Sequence, residues 1–154
     1  MHRLVKGRDL ILGGVKIPFE KGLLGFSDAD VLAHSIADAL LGAAGLNDIG
    51  CYFPDTDSKL KGISSLKILS KILLMISKKG FWIVNIDSVI VGQEPQLNLY
   101  FPKMKEKLVK VLKIDKSQIG LKAKTTEGMG FIGRREGIVC YAVAMLGKRL
   151  RNNK

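Results

Sequence analysis

The stretch Gly25–Val31, which reads GFSDADV, is the part of the sequence that most constrains the fold. Ser27 is a predicted helix N-cap. Asp30, three residues later, completes a weak form of the capping box and favours the positive end of the helix dipole. The helix is predicted to run from residue 28 to about residue 46, and it carries His34. A helix start, an imidazole and carboxylates within so short a stretch predict an active site.

Asp38 follows His34 by one helical turn, on the same stripe of the predicted helix. Its carboxylate could orient the imidazole from behind, as carboxylates do for metal-bound histidines, or it could be an ordinary surface charge. The sequence leaves both alternatives open. An adjacent stripe of Leu32, Ile36 and Leu40 is apolar and is predicted to face the core.

The segment that follows, residues 47–61, has no apolar periodicity and contains the three aspartates Asp48, Asp55 and Asp57, with glycine and proline between them. It is therefore predicted to be a loop. Loops of this length in a small domain are usually functional or disordered.

The rest of the chain alternates between strand and helix patterns. Predicted strands cover residues 9–13, 15–19, 81–91, 119–126 and 137–146, and further predicted helices cover residues 63–79 and 102–112. In the long strand, Trp82, Val84, Ile86 and Ile90 are predicted to share one side. The order ββααβαββ predicts an α+β fold, a mixed β-sheet with helices packed on one face.

A chain of 154 residues with 47% hydrophobic residues fits a single domain. We assign it to residues 1–147 and treat residues 148–154 as a basic tail. No apolar run approaches the roughly 20 residues of a membrane span, and the first residues lack the apolar core of a signal peptide. Cys51 and Cys140 form no short pairing motif and are interpreted as small buried thiols. We therefore expect a cytoplasmic protein without a membrane partner.

The formal net charge of +11 makes an anionic partner plausible, although much of the positive charge lies in residues 103–116 and 148–154. Zinc-finger spacing and aromatic-rich RNA-binding motifs are both missing from the sequence, so we do not expect nucleic acid as a partner. Periodicity alone leaves a helix-turn-helix open. A solvated basic surface with a frayed tail explains the charge without any partner.

His2 and His34 are the only histidines. Both could bind a metal such as zinc, which takes imidazole nitrogen and carboxylate oxygen in tetrahedral sites. Two ligands do not complete such a site, and a histidine satisfied within the core is the alternative. Glu127 follows two threonines at the end of a predicted strand, where it could hold magnesium against a diphosphate or belong to an ordinary polar turn. Arg134 and Arg135 could form an anion site or a solvated corner.

Several strings of residues resemble one enzyme family. They are GGVKIP at residues 13–18, EKGLL at 20–24, SDADV at 27–31, DALLGAA at 38–44, DIG at 48–50, FPDTD at 53–57 and TTEG at 125–128, together with Phe131, Gly133 and Arg134. Through these strings the chain resembles the 2-C-methyl-D-erythritol 2,4-cyclodiphosphate synthase family over nearly its whole length, without obvious gaps.

The resemblance implies a homotrimer with active sites between neighbouring subunits, each containing a zinc ion and a magnesium or manganese ion. In this family the 2-phosphate of a cytidine diphosphate-linked methylerythritol attacks the β-phosphorus. The attack closes a cyclic diphosphate and expels CMP, in the non-mevalonate synthesis of isoprenoids. Because the reaction is a phosphoryl transfer, positioning and charge neutralisation should supply most of the rate.

The resemblance also implies roles for individual residues. His2 and His34 match two of three zinc ligands, Glu127 matches the magnesium ligand, Thr125 matches a transition-state stabiliser and Ser27 matches a phosphate contact. The ribose and methylerythritol pocket is matched by Asp48, Ile49, Gly50, Phe53, Pro54, Asp55, Thr56 and Asp57. The cytidine pocket that a neighbouring subunit provides is matched by Gly92, Gln93, Glu94, Pro95, Gln96, Leu97 and Asn98. Further substrate contacts are matched by Lys124 and Thr126, and an isoprenoid diphosphate site near the trimer axis by Phe131 and Arg134.

The chain departs from the family pattern at positions that carry the chemistry. The family has Asp-x-His near its N-terminus, and this aspartate, a zinc ligand, is absent here because only one residue precedes His2. Phe26 occupies the catalytic position of a histidine, Gln96 that of a lysine and Lys124 that of a threonine. A zinc site that lacks one ligand is weakened, and loss of a polar catalytic group typically lowers a rate by ~100-fold or more.

Two explanations fit these departures. In the first, the recorded start is displaced and a few upstream residues, including the aspartate, are missing, so that only Phe26 needs explaining. In the second, the protein is a repurposed homologue that keeps the trimer and binds cytidine nucleotides or prenyl diphosphates without turnover. The retained His34, Asp48, Thr125 and Glu127 favour a synthase of reduced activity.

Overall fold

The computed structural model describes residues 1–149 and contains a five-stranded mixed sheet with the order β4-β1-β7-β5-β6. The strands are β1 (His2–Lys6), β2 (Leu10–Leu12), β3 (Val15–Ile17), β4 (Lys21–Leu23), β5 (Phe81–Val91), β6 (Ile119–Lys124) and β7 (Gly137–Lys148). β5 and β6 are parallel, and the other neighbours in this sheet are antiparallel. β2 and β3 form a separate antiparallel hairpin, as predicted for residues 9–19.

The α-helices pack on one face of the sheet. They are α1 (Val31–Ala43), α2 (Ile49–Tyr52), α3 (Ser65–Lys78), α4 (Phe101–Leu112) and α5 (Gly130–Gly133), and short 3-10 turns cover Ser58–Leu60, Asn98–Tyr100 and Lys116–Gln118. α1 lies against β7 and β5, α3 against β5 and α4 against β6. This arrangement confirms the predicted α+β fold. None of the helices in residues 1–149 is long and apolar enough to cross a membrane.

The core forms where the apolar stripes of the helices meet the inner side of the sheet. Ile36 and Leu40 of α1, Leu69 and Ile72 of α3 and Ile86 of β5 are all fully buried. The predicted order nevertheless omitted β1, β4, α2 and α5. Each of these elements has five residues or fewer, which is too short for hydrophobic periodicity to reveal.

α1 begins later than the sequence predicts, at Val31 rather than at residue 28. Ala29 has a φ of +57°, in the left-handed region, so the helix cannot include it. The N-cap is Asp30, whose side chain accepts a hydrogen bond from the Ala33 N–H at 3.0 Å. The prediction that Ser27 is the N-cap is therefore wrong.

Asp30 also joins the β2–β3 hairpin to α1. Its two carboxylate oxygens accept hydrogen bonds from the backbone N–H groups of Gly13 and Gly14 at 3.0 and 2.7 Å, and the residue is fully buried. Burial raises the pKa of Asp30 to about 6, while the three backbone donors favour the ionised form and oppose this shift. A cap that sequence reasoning treats as local thus holds two separate elements together.

We expect Asp30→Ala to lower the free energy of unfolding by about 3 kcal/mol, because it removes a helix cap and leaves buried N–H groups without acceptors. Urea denaturation of the purified chain measures the change. Asp115→Ala is the matched control, since Asp115 caps an exposed 3-10 turn and its loss should cost about 1 kcal/mol or less. Equal effects of the two substitutions would contradict this account.

β5 has the predicted bounds, but its side chains do not alternate as predicted. Ile86 and Ile90 are buried, whereas Trp82 and Val84 are 49% and 38% exposed. The pairing of β5 with β7 shifts at Val84, which has no partner on β7. Because one extra residue in a strand reverses the side on which the following residues lie, the four side chains do not share one side.

The face of the sheet opposite the helices carries large apolar side chains in solvent. Tyr141, Val143 and Met145 of β7 are 64%, 67% and 63% exposed and lie opposite Val89, Asp87 and Asn85 of β5, while Trp82 and Val84 are exposed at the start of β5. We call this group of five residues the open sheet face. Large apolar side chains exposed on one face of a sheet are candidates for an interaction surface.

The C-terminal part of the chain and the cysteines differ partly from the predictions. β7 extends to Lys148, so the predicted domain boundary at residue 147 falls within this strand. The remainder of the predicted tail, from residue 150 onwards, lies outside the described residues. Both cysteines are free. Cys140 is buried as predicted, but Cys51 is exposed, so its interpretation as a buried thiol is wrong.

Candidate active site

His2 at the start of β1 and His34 in α1 lie side by side. Nε2 of His2 is 3.0 Å from Nδ1 of His34, and the two rings meet edge to face with their centroids 5.2 Å apart. β1 pairs with β7 at His2, and α1 packs on β7. The tertiary structure therefore brings the two predicted zinc ligands together.

The second ring nitrogen of His34 faces two hydroxyl groups. Nε2 is 2.8 Å from Ser65 Oγ and 3.3 Å from Ser27 Oγ. Ser65, the first residue of α3, is only 1% exposed. Its Oγ donates a short hydrogen bond to Asp28 Oδ1, and its backbone N–H donates to Asp28 Oδ2 at 3.0 Å. Ser65 is not among the residues predicted from the sequence, because nothing in its local pattern distinguishes it from any serine at a helix start.

Asp38 has a different role from either alternative that the sequence left open. Its carboxylate accepts a hydrogen bond from the Ile49 N–H at 2.8 Å, and so fixes the start of α2. Asp48 is the N-cap of α2 and accepts from the Cys51 N–H at 3.1 Å. Asp38 thus positions the predicted substrate turn, and hydroxyl groups rather than this carboxylate contact the ring of His34.

Both imidazoles have lowered pKa values. Burial and, to a lesser extent, the neighbouring His2 together lower the pKa of His34 to about 4. Burial likewise lowers the pKa of His2. Near pH 7 both rings are therefore neutral, the state that binds metal ions. Since an unfolded histidine takes up its proton near pH 6.5, the stability that the neutral His34 contributes is fully present above this pH and is lost as the pH falls towards 4.

Two clefts meet at the histidine pair. One has a volume of about 590 Å³ and runs between α1 and β7, from Asp38 to Tyr141. The other, of about 300 Å³, lies between the GFS stretch and the segment that follows α2. Its walls include Gly25, Phe26, Ser27, Phe53, Asp55, Leu60 and Ile63, and Ile49 borders both clefts. The ring of Phe26 is 37% exposed in this second cleft, so the predicted catalytic position lies beside the histidines.

The predicted substrate loop consists of two short capped turns. After α2, Asp57 accepts a hydrogen bond from the Lys59 N–H at 3.0 Å and caps the 3-10 turn. Phe53 is half-buried, with the Lys71 ammonium 5.7 Å from its ring centroid. The loop exposes Asp48, Gly50, Pro54, Asp55, Thr56 and Asp57. Its polar groups are therefore accessible to a ligand.

A second group of predicted residues surrounds a separate pocket of about 410 Å³. One wall is the segment after β5, formed by Gly92, Gln93, Glu94, Pro95, Gln96, Leu97 and Asn98, and the other is the end of β6 with Ala123, Lys124 and Thr125. Gln93 Oε1 accepts a hydrogen bond from the Gly128 N–H at 3.2 Å and ties this segment to the turn after β6. The segment predicted to bind cytidine is therefore concave.

Thr125 and Glu127 lie together at the edge of this pocket. Thr125 Oγ1 donates a hydrogen bond to Glu127 Oε1 at 2.5 Å, and both residues are exposed. Thr126 Oγ1 instead donates to the carbonyl of Met129 at 2.8 Å. The hydroxyl groups of Thr125 and Thr126 therefore both donate within the turn, and the exposed Thr125–Glu127 pair is the part that a ligand can reach.

The two neighbouring arginines both form exposed ion pairs. Arg134 Nε is 2.7 Å from Glu136 Oε1, and Arg135 Nη1 is 2.7 Å from Glu94 Oε2. The side chain of Phe131 is 39% exposed. It borders a further pocket of about 360 Å³ that Glu136 also lines.

The histidine pair and the separate pocket formed by residues 92–98 and the end of β6 lie on different strands, at the same end of the sheet. The path from His2 to β6 crosses two strands. His2 pairs with Ile138 of β7, and the next residue, Val139, pairs with Val91 of β5. Val91 in turn pairs with Lys124 of β6. Neighbouring strands are about 4.8 Å apart, so three spacings separate His2 from Lys124 by about 14 Å. A single chain therefore does not bring the histidine pair and Glu127 into one pocket.

The histidine pair fits part of a zinc site. Two imidazole nitrogens bound to tetrahedral zinc at 2.0–2.1 Å are about 3.4 Å apart, close to the 3.0 Å between these nitrogens. Neutral imidazole is also the form that zinc requires. Among residues 1–149, no group of three or more His, Cys, Asp and Glu side chains is arranged to hold a metal ion. The pair thus provides two of the three protein ligands that a catalytic zinc site commonly has.

The mixed sheet and the paired histidines at the junction of two clefts define an α+β protein with a candidate metal-dependent active site. Residues 1–147 match the model of the YgbB family. The chain belongs to this family, and the family identified from the sequence strings is confirmed.

Curated relatives and a solved structure agree with this assignment. Two proteins named 2-C-methyl-D-erythritol 2,4-cyclodiphosphate synthase are similar over almost the whole chain. The one from Pelotomaculum thermopropionicum is 55% identical over 148 residues, 96% of this chain and 91% of the relative. The one from Dehalococcoides mccartyi is 54% identical over 149 residues, 97% and 95% of the two chains. The structure of a Plasmodium falciparum IspF CDP complex has a TM-score of 0.84 and 36% identity, and covers 97% of this chain and 92% of that one.

Proposed function

We propose that this protein converts 4-diphosphocytidyl-2-C-methyl-D-erythritol 2-phosphate to 2-C-methyl-D-erythritol 2,4-cyclodiphosphate with release of CMP, in the non-mevalonate synthesis of isoprenoids. The observation that carries the proposal is the neutral His2–His34 pair, with its nitrogens 3.0 Å apart, at the junction of two clefts. The names of the curated relatives support the same reaction.

In the proposed reaction, an oxygen of the 2-phosphate attacks the β-phosphorus, and the bond from this phosphorus to the CMP oxygen breaks. Zinc and magnesium or manganese, when bound, supply positive charge that neutralises the diphosphate. His2 and His34 would hold the zinc, and Glu127 would hold the magnesium or manganese. The Thr125 hydroxyl would turn away from Glu127 Oε1, to which it donates in the structure, and donate instead to a phosphoryl oxygen where negative charge develops.

We also propose that the protein acts as a homotrimer with its active sites between subunits. Within one chain, three strand spacings of about 14 Å in total separate His2 from Lys124, three residues before Glu127, whereas two metal ions that act on one phosphoryl group lie about 4 Å apart. This separation favours a site in which a second copy contributes one of the two groups. The open sheet face is an apolar surface that contact between copies would cover.

We expect Val143→Asp to prevent assembly, because a charge buried without a partner in an apolar contact costs about 3 kcal/mol or more. Size-exclusion chromatography with light scattering should give the mass of three chains for the wild type and a lower mass for the variant. The variant should also release CMP more slowly than the wild type, because its active sites would be incomplete. Ser70→Asp, on the exposed side of α3, introduces the same charge away from the open sheet face and should leave the mass unchanged. A monomeric wild type would refute the trimer, and a trimeric Val143→Asp protein would refute the open sheet face as the contact between copies.

The direct test of the proposed function is release of CMP from the cytidine diphosphate-linked substrate by the purified chain with zinc and magnesium. Glu127→Ala is the control, since it removes the proposed magnesium ligand from an exposed position. We expect release that depends on added metal and exceeds this control. Release no greater than the Glu127→Ala background would contradict the proposal.

The side chain of Phe26 favours a second candidate function, an inactive homologue that binds cytidine nucleotides or prenyl diphosphates without turnover. An apolar ring in the second cleft cannot replace a polar catalytic group. The pocket beside Phe131, together with the exposed Arg134, would be the site for a prenyl diphosphate. Titration with CDP and with geranyl diphosphate separates the two functions, because binding without CMP release would support only the second.

A further inference from the structure

Asp28, Ser65 and His34 form a hydrogen-bonded chain that the proposed reaction does not itself use. Asp28 accepts two hydrogen bonds from Ser65, one from its hydroxyl and one from its backbone N–H. The same hydroxyl oxygen lies 2.8 Å from Nε2 of His34. Ser65 is 1% exposed, so water does not compete for these contacts.

The direction of these hydrogen bonds determines where His34 carries its proton. A serine hydroxyl has a single proton, and here it points to the Asp28 carboxylate, which can only accept. Towards His34 the Ser65 oxygen can therefore only accept a hydrogen bond, so Nε2 must donate one. In a neutral imidazole with a proton on Nε2, Nδ1 has an unshared lone pair. This lone pair faces Nε2 of His2 at 3.0 Å.

We propose that Ser65, held by Asp28, is a positioning residue that sets the tautomer of His34 and thereby aims the Nδ1 lone pair at a cation between the two histidines. Partners of this kind orient metal-binding histidines in many proteins, and their loss typically lowers metal affinity 10–100-fold. Ser27 Oγ lies farther from the same nitrogen, at 3.3 Å, and makes the weaker of the two contacts.

The first test measures the tautomer in the metal-free full chain by long-range ¹⁵N NMR of the histidine rings. We expect the wild type to carry the proton on Nε2 of His34. In Asp28→Asn, the amide can donate to Ser65 Oγ while its oxygen still accepts from the Ser65 N–H. The Ser65 proton then turns to His34, and the ring should change to the Nδ1–H tautomer. The Asn side chain has nearly the same shape as Asp, and the one other contact that its NH2 group changes is the long hydrogen bond, 3.3 Å, that the Asp30 N–H donates to Asp28 Oδ1.

The second test measures zinc affinity by competition with a chromogenic chelator. Ser65→Ala should bind zinc 10–100-fold more weakly than the wild type, and Ser65→Thr, which keeps the hydroxyl, should restore most of the affinity. Ser64→Ala is the matched control, because Ser64 precedes Ser65 and its side chain makes no capping hydrogen bond. Amide NMR spectra show whether each variant is folded. If Ser65→Ala does not fold, zinc affinity is measured on Asp28→Asn instead.

An Nδ1–H tautomer in the wild type, an Asp28→Asn ring that keeps its proton on Nε2, or a folded Ser65→Ala protein with unchanged zinc affinity would each overturn the proposal. The zinc measurement rests on the proposed function, but the tautomer measurement requires neither metal nor substrate. A chain with the expected tautomers and no zinc binding would therefore contradict the zinc site of the proposed function while leaving the role of Ser65 in place.

Discussion

Replacing Phe26 by histidine is expected to increase the rate of CMP release by about 100-fold, the magnitude typical for one polar catalytic group. The side chain lies in the second cleft with Ser27 and His34, where the resemblance to the family places a histidine. The main chain at this position is held by a hydrogen bond from the Gly62 N–H to the Phe26 carbonyl at 2.8 Å. The substitution should therefore change the chemistry of the cleft without moving the loop.

Phe26→Leu is the matched control, because it shortens the side chain and adds no polar group. Single-turnover assays with saturating zinc and magnesium measure the chemical step in each protein. A gain in the histidine variant alone identifies Phe26 as the cause of low activity. Equal rates in all three proteins would show that Phe26 does not limit the reaction.

Replacing His34 by alanine is expected to lower zinc affinity by more than about 100-fold. Loss of a residue that merely orients a ligand already costs 10–100-fold, and this change removes one of only two imidazoles at the site. The metal-dependent release of CMP should disappear in parallel. Chelator competition and the CMP assay, carried out on the same preparations, measure both effects.

Asp38→Asn is the informative control for this experiment. Asp38 lies one turn after His34 on the same helix, but it accepts its hydrogen bond from the Ile49 N–H. Its replacement should leave zinc affinity within about twofold, since outer partners matter only when they contact the ligand. A large loss of zinc affinity in Asp38→Asn would instead restore the hypothesis that this carboxylate orients the imidazole.

Much of the fold could be predicted from local patterns. The bounds of β5 and the approximate bounds of α3 and α4 follow from runs of apolar residues with a regular period, ended by glycine or begun near proline. The wrong predictions concern positions whose structure depends on contacts with residues far away in the sequence. Asp30 caps α1 in part because the β2–β3 hairpin donates two N–H groups to it, and the bulge at Val84 depends on pairing with β7.

The candidate site could be predicted only in part. The strings around His34, Asp48 and Glu127 were sufficient to identify the family, which the comparisons confirm. Ser65 was missed because its contact with His34 joins residues 31 positions apart, and no local signal reports such a contact. The role of Asp38 was misjudged for the same reason, since the residue that it contacts follows the end of α1.

By itself, the sequence determined where the longer helices and strands form, the family of the protein and the residue types available for metal and phosphate chemistry. These properties depend on side chains within a few positions of one another, whose period and capping leave a readable pattern. Only the tertiary structure decided that His2 meets His34, that Ser65 and Asp28 stand behind the imidazole, and that Glu127 lies three strands away. Such contacts depend on how the sheet is ordered and how loops return to it, so their directions and distances are set by packing between segments that are remote in sequence.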